Sequence, residues 1–216
     1  MVTLLSAQNS LVSCWMNELR NVEVQKDRLR FRRNMERIGE IAAYELSKEL
    51  EFKTSEITTP LEGIAVNELA VQPVITTILR AGVPLFQGIL NNFDKADCGF
   101  VAAYRKHEEN DYFSIKQDYL TCPSIENRPL IVADPMLATG ASLIEALKDL
   151  LSNGNPSSIH IVASIASKQG IETLKEAYPK ARIWVGAIDE NLTSKGYITP
   201  GLGDAGDLSY GEKLQR

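Results

Sequence analysis

The segment with the clearest chemical potential covers residues 129–147 and reads PLIVADPMLATGASLIEAL. An apolar run leads into Asp134, small residues follow, and an amphipathic helical pattern begins near Ser142. Small residues let backbone N–H groups approach an anion, and the amino end of a helix adds partial positive charge. An ionised Asp134 accepts hydrogen bonds only, which suits the vicinal hydroxyl groups of a ribose. The segment therefore indicates a site for a sugar phosphate.

A structural use of the same residues is the alternative, because aspartate and serine often cap turns and helices. Taken alone, the segment leaves the two interpretations close to even. It lacks the Gly-Lys-Ser/Thr ending of an ATP-type phosphate loop, which disfavours hydrolysis of a nucleoside triphosphate.

Two arginines each follow a predicted strand, where a guanidinium can donate two hydrogen bonds to a pyrophosphate. Arg80 stands in ILRAGVPLFQG, and Arg105 stands in AYRKHEENDYF. A surface ion pair of little energetic value is the alternative for Arg80. The polar, acidic stretch after Arg105 predicts an exposed and mobile loop, in which His107 is a solvated residue rather than a catalytic base.

Residues 201–206 read GLGDAG, which fits the G-x-G-x-x-G pattern of a dinucleotide site. That site needs a strand before the glycines, a helix that begins at them and an acidic residue about 20 positions further on. Only ten residues follow Gly206. The oxidoreductase interpretation is therefore poor. A loop with few side chains can instead present its backbone to the flat edge of a base, while a disordered tail is the alternative.

The elements that must position these residues alternate along the chain. Helical spacing of apolar residues predicts a helix over residues 29–50, followed by a loop rich in Thr, Glu and Gly, and a second helix from residue 141 that stops at Asn153-Gly154. Apolar, β-branched runs predict buried strands at residues 73–79, 98–104, 129–133, 158–166 and 182–188. This alternation predicts an α/β fold with a mostly parallel sheet covered on both faces. His160 falls inside the fourth strand and is predicted to be a hydrogen-bonded core residue.

Composition indicates one globular domain of 216 residues, with a helical segment over about 1–60, a sheet core over about 61–190 and a C-terminal segment over about 191–216. The formal net charge of -5 argues against nucleic acid as a partner, although the run KDRLRFRRNMER at residues 26–37 is basic. That run is interpreted as a solvated helix face, with a polyanion or subunit interface as the minority interpretation. Three scattered cysteines, no signal-peptide pattern and no membrane-length apolar run predict a cytoplasmic protein that does not bind membranes.

Several of these segments together resemble one known family. ADPMLATGAS is similar to the phosphoribosyl-pyrophosphate (PRPP) loop of the type I phosphoribosyltransferases, and Pro135 stands where most of them have a second acid, as in the uracil branch. ILRAG resembles the corresponding segment of that branch, and YITPGLGDAGD resembles its uracil-recognition segment almost letter for letter. The resemblance extends over about residues 28–211 and includes RFRRNMERIGEIAAYE.

The resemblance implies a type I phosphoribosyltransferase fold with a small base-binding hood. It also implies a reaction in which uracil and PRPP give UMP and pyrophosphate, with Mg²⁺ held through substrate oxygens and no metal ligand assigned directly. Residues 138–142 would bind the 5′-phosphate, a loop after Arg105 would close over the substrate, and no base is assigned for the uracil N1 proton. A homo-oligomer, a dimer or larger, is expected, and some family members are activated by GTP.

Three sets of site residues follow from the resemblance. The catalytic set is Asp134, Arg105 and Asp204. The uracil-binding set is Tyr197, Ile198, Gly203, Asp204 and Ala205. The PRPP-binding set is Arg80, Arg105, Asp134, Pro135, Met136, Leu137, Ala138, Thr139, Gly140, Ala141, Ser142 and Asp204.

Two other functions stay open at this point. The same fold could act on another base such as a purine or orotate, although GLGDAGD offers no cation for the carboxylate of orotate. A non-catalytic regulator that senses PRPP and binds RNA is the other alternative, and the acidic total charge counts against it.

Overall fold

The computed structural model describes residues 1–107 and 113–213, with the side chains of residues 1–102 and 119–213. The helices in these ranges are α1 (Leu11–Arg20), α2 (Arg28–Ser47), α3 (Val83–Leu90), α4 (Ala141–Leu150), α5 (Lys168–Ala177) and α6 (Ala205–Tyr210). The strands are β1 (Val2–Leu4), β2 (Phe52–Thr58), β3 (Gly63–Leu69), β4 (Val74–Leu79), β5 (Asp97–His107), β6 (Phe113–Thr121), β7 (Pro129–Ala133), β8 (Met136–Leu137), β9 (Ser158–Ser167), β10 (Arg182–Asp189), β11 (Asn191–Leu192) and β12 (Ile198–Thr199).

A central sheet organises the chain in the order β1-β10-β9-β7-β4-β5-β6, and β8 pairs with β9. The strands pair in parallel except β5 and β6, which are antiparallel. Every residue of β7 is buried, as expected for a strand covered on both faces. One apolar cluster joins the sheet to α1, α2 and α3, and a second joins it to α4 and α5. The prediction of a mostly parallel sheet flanked by helices is confirmed.

The predicted helix over residues 29–50 corresponds to α2, and its apolar stripe faces the core. Ile38, Ala42 and Leu46 are fully buried. Gly88 of α3 lies so close to α2 that a side chain there would collide with the carbonyl oxygen of Glu36. The backbones of α2 and α3 are therefore in close contact. This contact fixes the position of α3, which directly follows the segment containing Arg80.

The prediction of a loop after this helix is wrong, because residues 52–69 form an antiparallel hairpin of β2 and β3. The hairpin is a separate two-stranded sheet, and most of its residues are exposed on both faces. With no buried face, its residues lack the apolar alternation that marks a half-buried strand. The N-terminal segment also contributes β1 to the main sheet, so it is not helical throughout.

His160 is a hydrogen-bonded core residue, as predicted. Its side chain is fully buried, and Trp184 Nε1 donates a hydrogen bond of 3.2 Å to its Nδ1. Because the indole N–H can only donate, the imidazole proton belongs on Nε2, which lies 3.0 Å from Ser158 Oγ. Burial, followed by the charge of Arg182, lowers the pKa of His160 from 6.5 to about 4. Among the described helices, none has the length and apolar character needed to cross a lipid bilayer.

Candidate active site

The carboxyl ends of parallel strands meet at one edge of the central sheet. Thr77 of β4 and Ala133 of β7 are paired in register, so Arg80 and Asp134 follow neighbouring strands at this edge. Crevices of this kind bind ligands in open α/β sheets. The edge therefore brings together the predicted diphosphate arginine and the predicted ribose carboxylate.

The loop after β7 is held against β9 by its own backbone. The amide of Asp134 donates to the carbonyl oxygen of Val162 at 3.0 Å, and the carbonyl oxygen of Pro135 accepts from the amides of Ser164 and Ile165. Met136 and Leu137 then continue as β8 beside β9. The path of the loop is thus set before α4 begins.

A small cavity of about 30 Å³ lies along this loop between Asp134 and Leu143. Thr139, Gly140 and Ser142 contribute to its wall. Gly140 caps α4 with a left-handed φ of 83°, a conformation that glycine adopts without strain. The first N–H groups of a helix have no acceptor within the helix, so the start of α4 can donate to an anion in the cavity. This geometry suits a phosphate group.

The glycine-rich segment, residues 201–206, lies next to the same edge. Gly201 and Gly203 have φ values of 64° and 94°. A Cβ atom at Gly203 would meet only Leu208 Cδ1 within 4 Å, at an ordinary contact distance of 3.6 Å, and the residue is exposed. Ile198 and Ala205 are buried in the core, which leaves mainly their backbones to face a ligand, whereas Tyr197 is about half exposed.

Arg80 links the two parts of the site. Its Nη2 lies 3.2 Å from Asp207 Oδ1 and 3.3 Å from the carbonyl oxygen of Gly211. A Cβ atom at Gly206 would lie 3.8 Å from the side chain of Ala81. The segment after β4 therefore contacts α6 directly, and Arg80 follows the strand next to the loop of residues 134–142, which we call the phosphate loop. Asp207 was not predicted as a site residue.

Asp204 is ionised and structurally engaged. It caps α6 by accepting hydrogen bonds from the amides of Gly206 and Asp207, and it pairs with Lys213 at 3.0 Å. Burial pushes the pKa of Asp204 upward, but the hydrogen bonds from the Asp207 amide and Lys213 outweigh it and hold the pKa below its usual range. The carboxylate predicted to face PRPP thus caps α6 in this structure.

Arg105 lies in β5 and is paired in register with Ile115 of β6. Its side chain lies outside the described residues, and so do the side chain of His107 and all of residues 108–112. The prediction of a loop that closes over the substrate therefore concerns residues outside the described part of the chain. In the parts that are described, no group of three or more His, Cys, Asp or Glu residues could hold a metal ion.

The basic run at residues 26–37 pairs with carboxylates and also contacts the C-terminal segment. Arg30 makes two hydrogen bonds to Glu18, at 2.8 and 2.7 Å. The hydrogen bonds from Arg30 and Asn34 lower the pKa of Glu18 to about 2. Arg32 donates to the carbonyl oxygen of Ser209 at 2.7 Å. The run is therefore more than a solvated helix face, because one of its arginines holds the end of α6.

The fold and the phosphate loop together define the class of protein. A hypoxanthine phosphoribosyltransferase from Staphylococcus aureus superimposes with a TM-score of 0.50 and 15% identity over 86% of this chain and 84% of that one. At that identity the likeness shows the fold alone. The architecture is that of the type I phosphoribosyltransferases.

Sequence comparisons narrow the class to one family. The family model described as uracil phosphoribosyltransferase matches residues 6–211. A uracil phosphoribosyltransferase of Porphyromonas gingivalis is 47% identical over 97% of this chain and 98% of the relative. The AQ2163 protein of Aquifex aeolicus superimposes with a TM-score of 0.86 at 30% identity, over 100% of both chains. The chain belongs to the uracil phosphoribosyltransferase family, and the resemblance seen in the sequence is confirmed.

Proposed function

We propose that this protein transfers the phosphoribosyl group of PRPP to uracil, giving UMP and pyrophosphate. The observation that carries the proposal is the position of Arg80, which follows the strand next to the phosphate loop and contacts Asp207 beside the glycine-rich segment. A sugar phosphate bound at the loop and a base bound at the glycines would therefore meet at this arginine. Family membership supports the same reaction.

Each part of the substrate has a residue set of matching chemistry. The backbone and hydroxyl groups of residues 138–142 would hold the 5′-phosphate, and Asp134 would accept from the ribose hydroxyls. Arg80 and Arg105 would stabilise the departing diphosphate by bidentate hydrogen bonds. Because bond cleavage leaves positive charge on the ribose ring, catalysis would rest on positioning and charge stabilisation rather than on a covalent nucleophile.

Uracil would be read mainly by backbone groups of the glycine-rich segment. Gly203 is exposed and has no side chain, so a flat base edge can approach its backbone closely. Cytosine carries an amino group where uracil has a carbonyl, so a fixed backbone N–H at that point would be left unpaired at a cost of about 1–3 kcal/mol. Asp204 and the backbones of Ile198 and Ala205 are also proposed to contact the base.

Mg²⁺ is proposed to bind with PRPP, through its diphosphate and ribose oxygens. Magnesium keeps several waters and commonly binds through substrate phosphates and one or two carboxylates. Assembly into a homo-oligomer, activation by GTP and a cytoplasmic location, which suits the free thiols of the three cysteines, remain predictions.

The proposal is tested by incubating the protein with Mg²⁺, PRPP and each nucleobase separately, and measuring nucleotide and pyrophosphate. Uracil is expected to give UMP and pyrophosphate in equal amounts. Reaction with another base but not with uracil would show that the substrate is wrong. A gel shift with RNA, in the absence of any UMP formation, would favour the regulatory alternative instead.

A further inference from the structure

Two neighbouring strands end in buried polar residues that contact different loops of the site. Ser167 ends β9, Asp189 ends β10, and the two are paired in register. Their exposed fractions are 0% and 7%. Buried polar groups are costly unless hydrogen-bonded, so the partners of these two side chains indicate what the side chains do.

Asp189 and Arg20 hold the start of the glycine-rich segment. Arg20, the last residue of α1, donates to both carboxylate oxygens of Asp189 at 2.8 Å. Arg20 also donates to the carbonyl oxygen of Gly201 at 3.0 Å, and the Gly201 amide donates to Asp189 Oδ2 at 2.8 Å. Both polar backbone groups of Gly201 are therefore bound by one ion pair.

The electrostatics of this pair favour the charged form. Burial pushes the pKa of Asp189 upward, but hydrogen bonds from Arg20 and the Gly201 amide outweigh it and keep the pKa below its usual range. A planar guanidinium can bind a carboxylate and a carbonyl oxygen at once, which the point charge of lysine cannot do in the same geometry. The next residue of the segment is also held, because Gln25 donates to the carbonyl oxygen of Leu202 at 3.1 Å.

Ser167 holds the phosphate loop in a comparable way. Its hydroxyl donates to the carbonyl oxygen of Ala138 at 2.6 Å and accepts from the amide of Gly170 at 2.8 Å. A side chain at Gly170 would collide with the same carbonyl of Ala138 and would lie 2.7 Å from that of Leu137. The start of α5 is thus packed tightly against the loop, with Ser167 as the hydrogen-bonding link.

We propose that Arg20 with Asp189, and Ser167, are positioning residues that set the geometry of the two substrate loops separately. The ion pair orients the backbone that reads the base, and the serine orients the backbone that holds the 5′-phosphate. None of the three is assigned a substrate contact. This inference rests on the proposed function, and it adds that affinity for uracil and affinity for PRPP are controlled by different buried residues at adjacent strand ends.

The test measures the KM values for uracil and for PRPP in Arg20→Ala, Arg20→Lys, Asp189→Asn and Ser167→Ala, with Tm as the control for folding. Misplacement of reacting groups by about 1 Å can cost on the order of 100-fold in rate, so partial loosening of a loop is expected to lower kcat/KM for the affected substrate by about 10-fold or more. The Arg20 and Asp189 variants should raise the KM for uracil and leave that for PRPP within about twofold. Ser167→Ala should raise the KM for PRPP and leave that for uracil within about twofold. If the alanine variant does not fold, Ser167→Cys is used instead.

Chemical rescue separates positioning from general destabilisation. Arg20 is partly accessible, with 24% of its side chain exposed, so guanidinium ions added in solution can enter the space left in Arg20→Ala. They should lower the KM for uracil in that variant and leave Asp189→Asn unchanged, and Arg20→Lys should lie between wild type and Arg20→Ala. If both KM values change together in every variant, or if neither changes, the inference is wrong although the wild type makes UMP. Absence of UMP from the wild-type reaction would instead reject the proposed function.

Discussion

Gly203 offers a substitution that separates base recognition from stability. Gly203→Val adds a branched side chain where the nearest atom to the new Cβ is Leu208 Cδ1 at 3.6 Å, an ordinary contact distance. The remaining cost comes from the φ of 94°, which disfavours any residue with a Cβ by about 1–2 kcal/mol. We therefore expect the free energy of unfolding to fall by no more than about this amount.

The effect on uracil should be larger, because the new methyl groups stand between the base and the backbone. If one hydrogen bond to uracil is lost and its partner is left unpaired, the cost of about 1–3 kcal/mol corresponds to a rise of about 5- to 150-fold in KM. The assay is the initial rate of UMP formation at varied uracil and at varied PRPP, together with urea unfolding. The KM for PRPP should change much less than the KM for uracil.

Gly211 provides the matched control. Its φ is 92°, and a Cβ atom there would lie 3.7 Å from its nearest neighbour, Arg28 Nη2. Gly211→Val therefore introduces the same side chain at a residue whose φ is also positive, beyond the predicted uracil-binding residues. It should lower stability, because a positive φ disfavours a residue with a Cβ, and leave the KM for uracil unchanged. An unaltered uracil KM in Gly203→Val, or an equal rise in both variants, would refute the proposed role of the glycine-rich segment.

Three further predictions concern the carboxylate, the buried histidine and the metal. Asp134→Asn should lower kcat by about 100-fold, because it removes the charge proposed to meet the ribose, with Tm as the control for folding; wild-type turnover would exclude Asp134 from the site. The pKa of His160 is lowered to about 4 from 6.5, so the unfolded state takes up a proton first as the pH falls. The contribution of His160 to stability should then be constant above about pH 6.5 and fall by about 3 kcal/mol between pH 6.5 and 4, so in urea unfolding the wild type should lose about this much more stability than His160→Gln over that range. Chelation of divalent cations should abolish UMP formation and added Mg²⁺ should restore it, whereas a full rate in the presence of chelator would contradict the magnesium proposal.

Much of the sheet could be predicted from the sequence because its strands are buried on both faces. A strand such as β7 must be apolar at every position, and its five residues form a continuous apolar run. The hairpin of β2 and β3 could not be predicted in this way, because most of its residues are exposed on both faces and only Leu69, at the end of β3, packs against the core. Its pairing depends on backbone hydrogen bonds, which any sequence of suitable conformation can form.

The candidate site also has parts that could be predicted from the sequence and parts that could not. The phosphate loop and the glycine-rich segment are local, so the residue types that a close backbone approach requires stand next to each other in the sequence. The contacts that hold these segments join distant parts of the chain: Arg20 and Asp189 are 169 positions apart, and Ala138 and Ser167 are 29 apart. Nothing in the sequence near Arg20 distinguishes it from an ordinary surface arginine, and nothing near Ser167 distinguishes it from an ordinary serine at the end of a strand. Only the folded chain shows these two contacts.

The pairing of Arg80 with Asp207 is consistent with a role for this arginine in binding diphosphate. Both side chains are partly exposed, at 44% and 30%, and exposed ion pairs contribute only about 0–1 kcal/mol. A diphosphate carries more charge than one carboxylate and offers oxygens for both arms of the guanidinium, so it can replace Asp207 at small cost. The pairing keeps Arg80 beside α6 and leaves it exchangeable, whereas the largely buried Arg20–Asp189 pair holds the backbone of Gly201 in place. The proposed site thus combines an exposed pair where the diphosphate would bind with a largely buried pair beside the backbone that would bind the base.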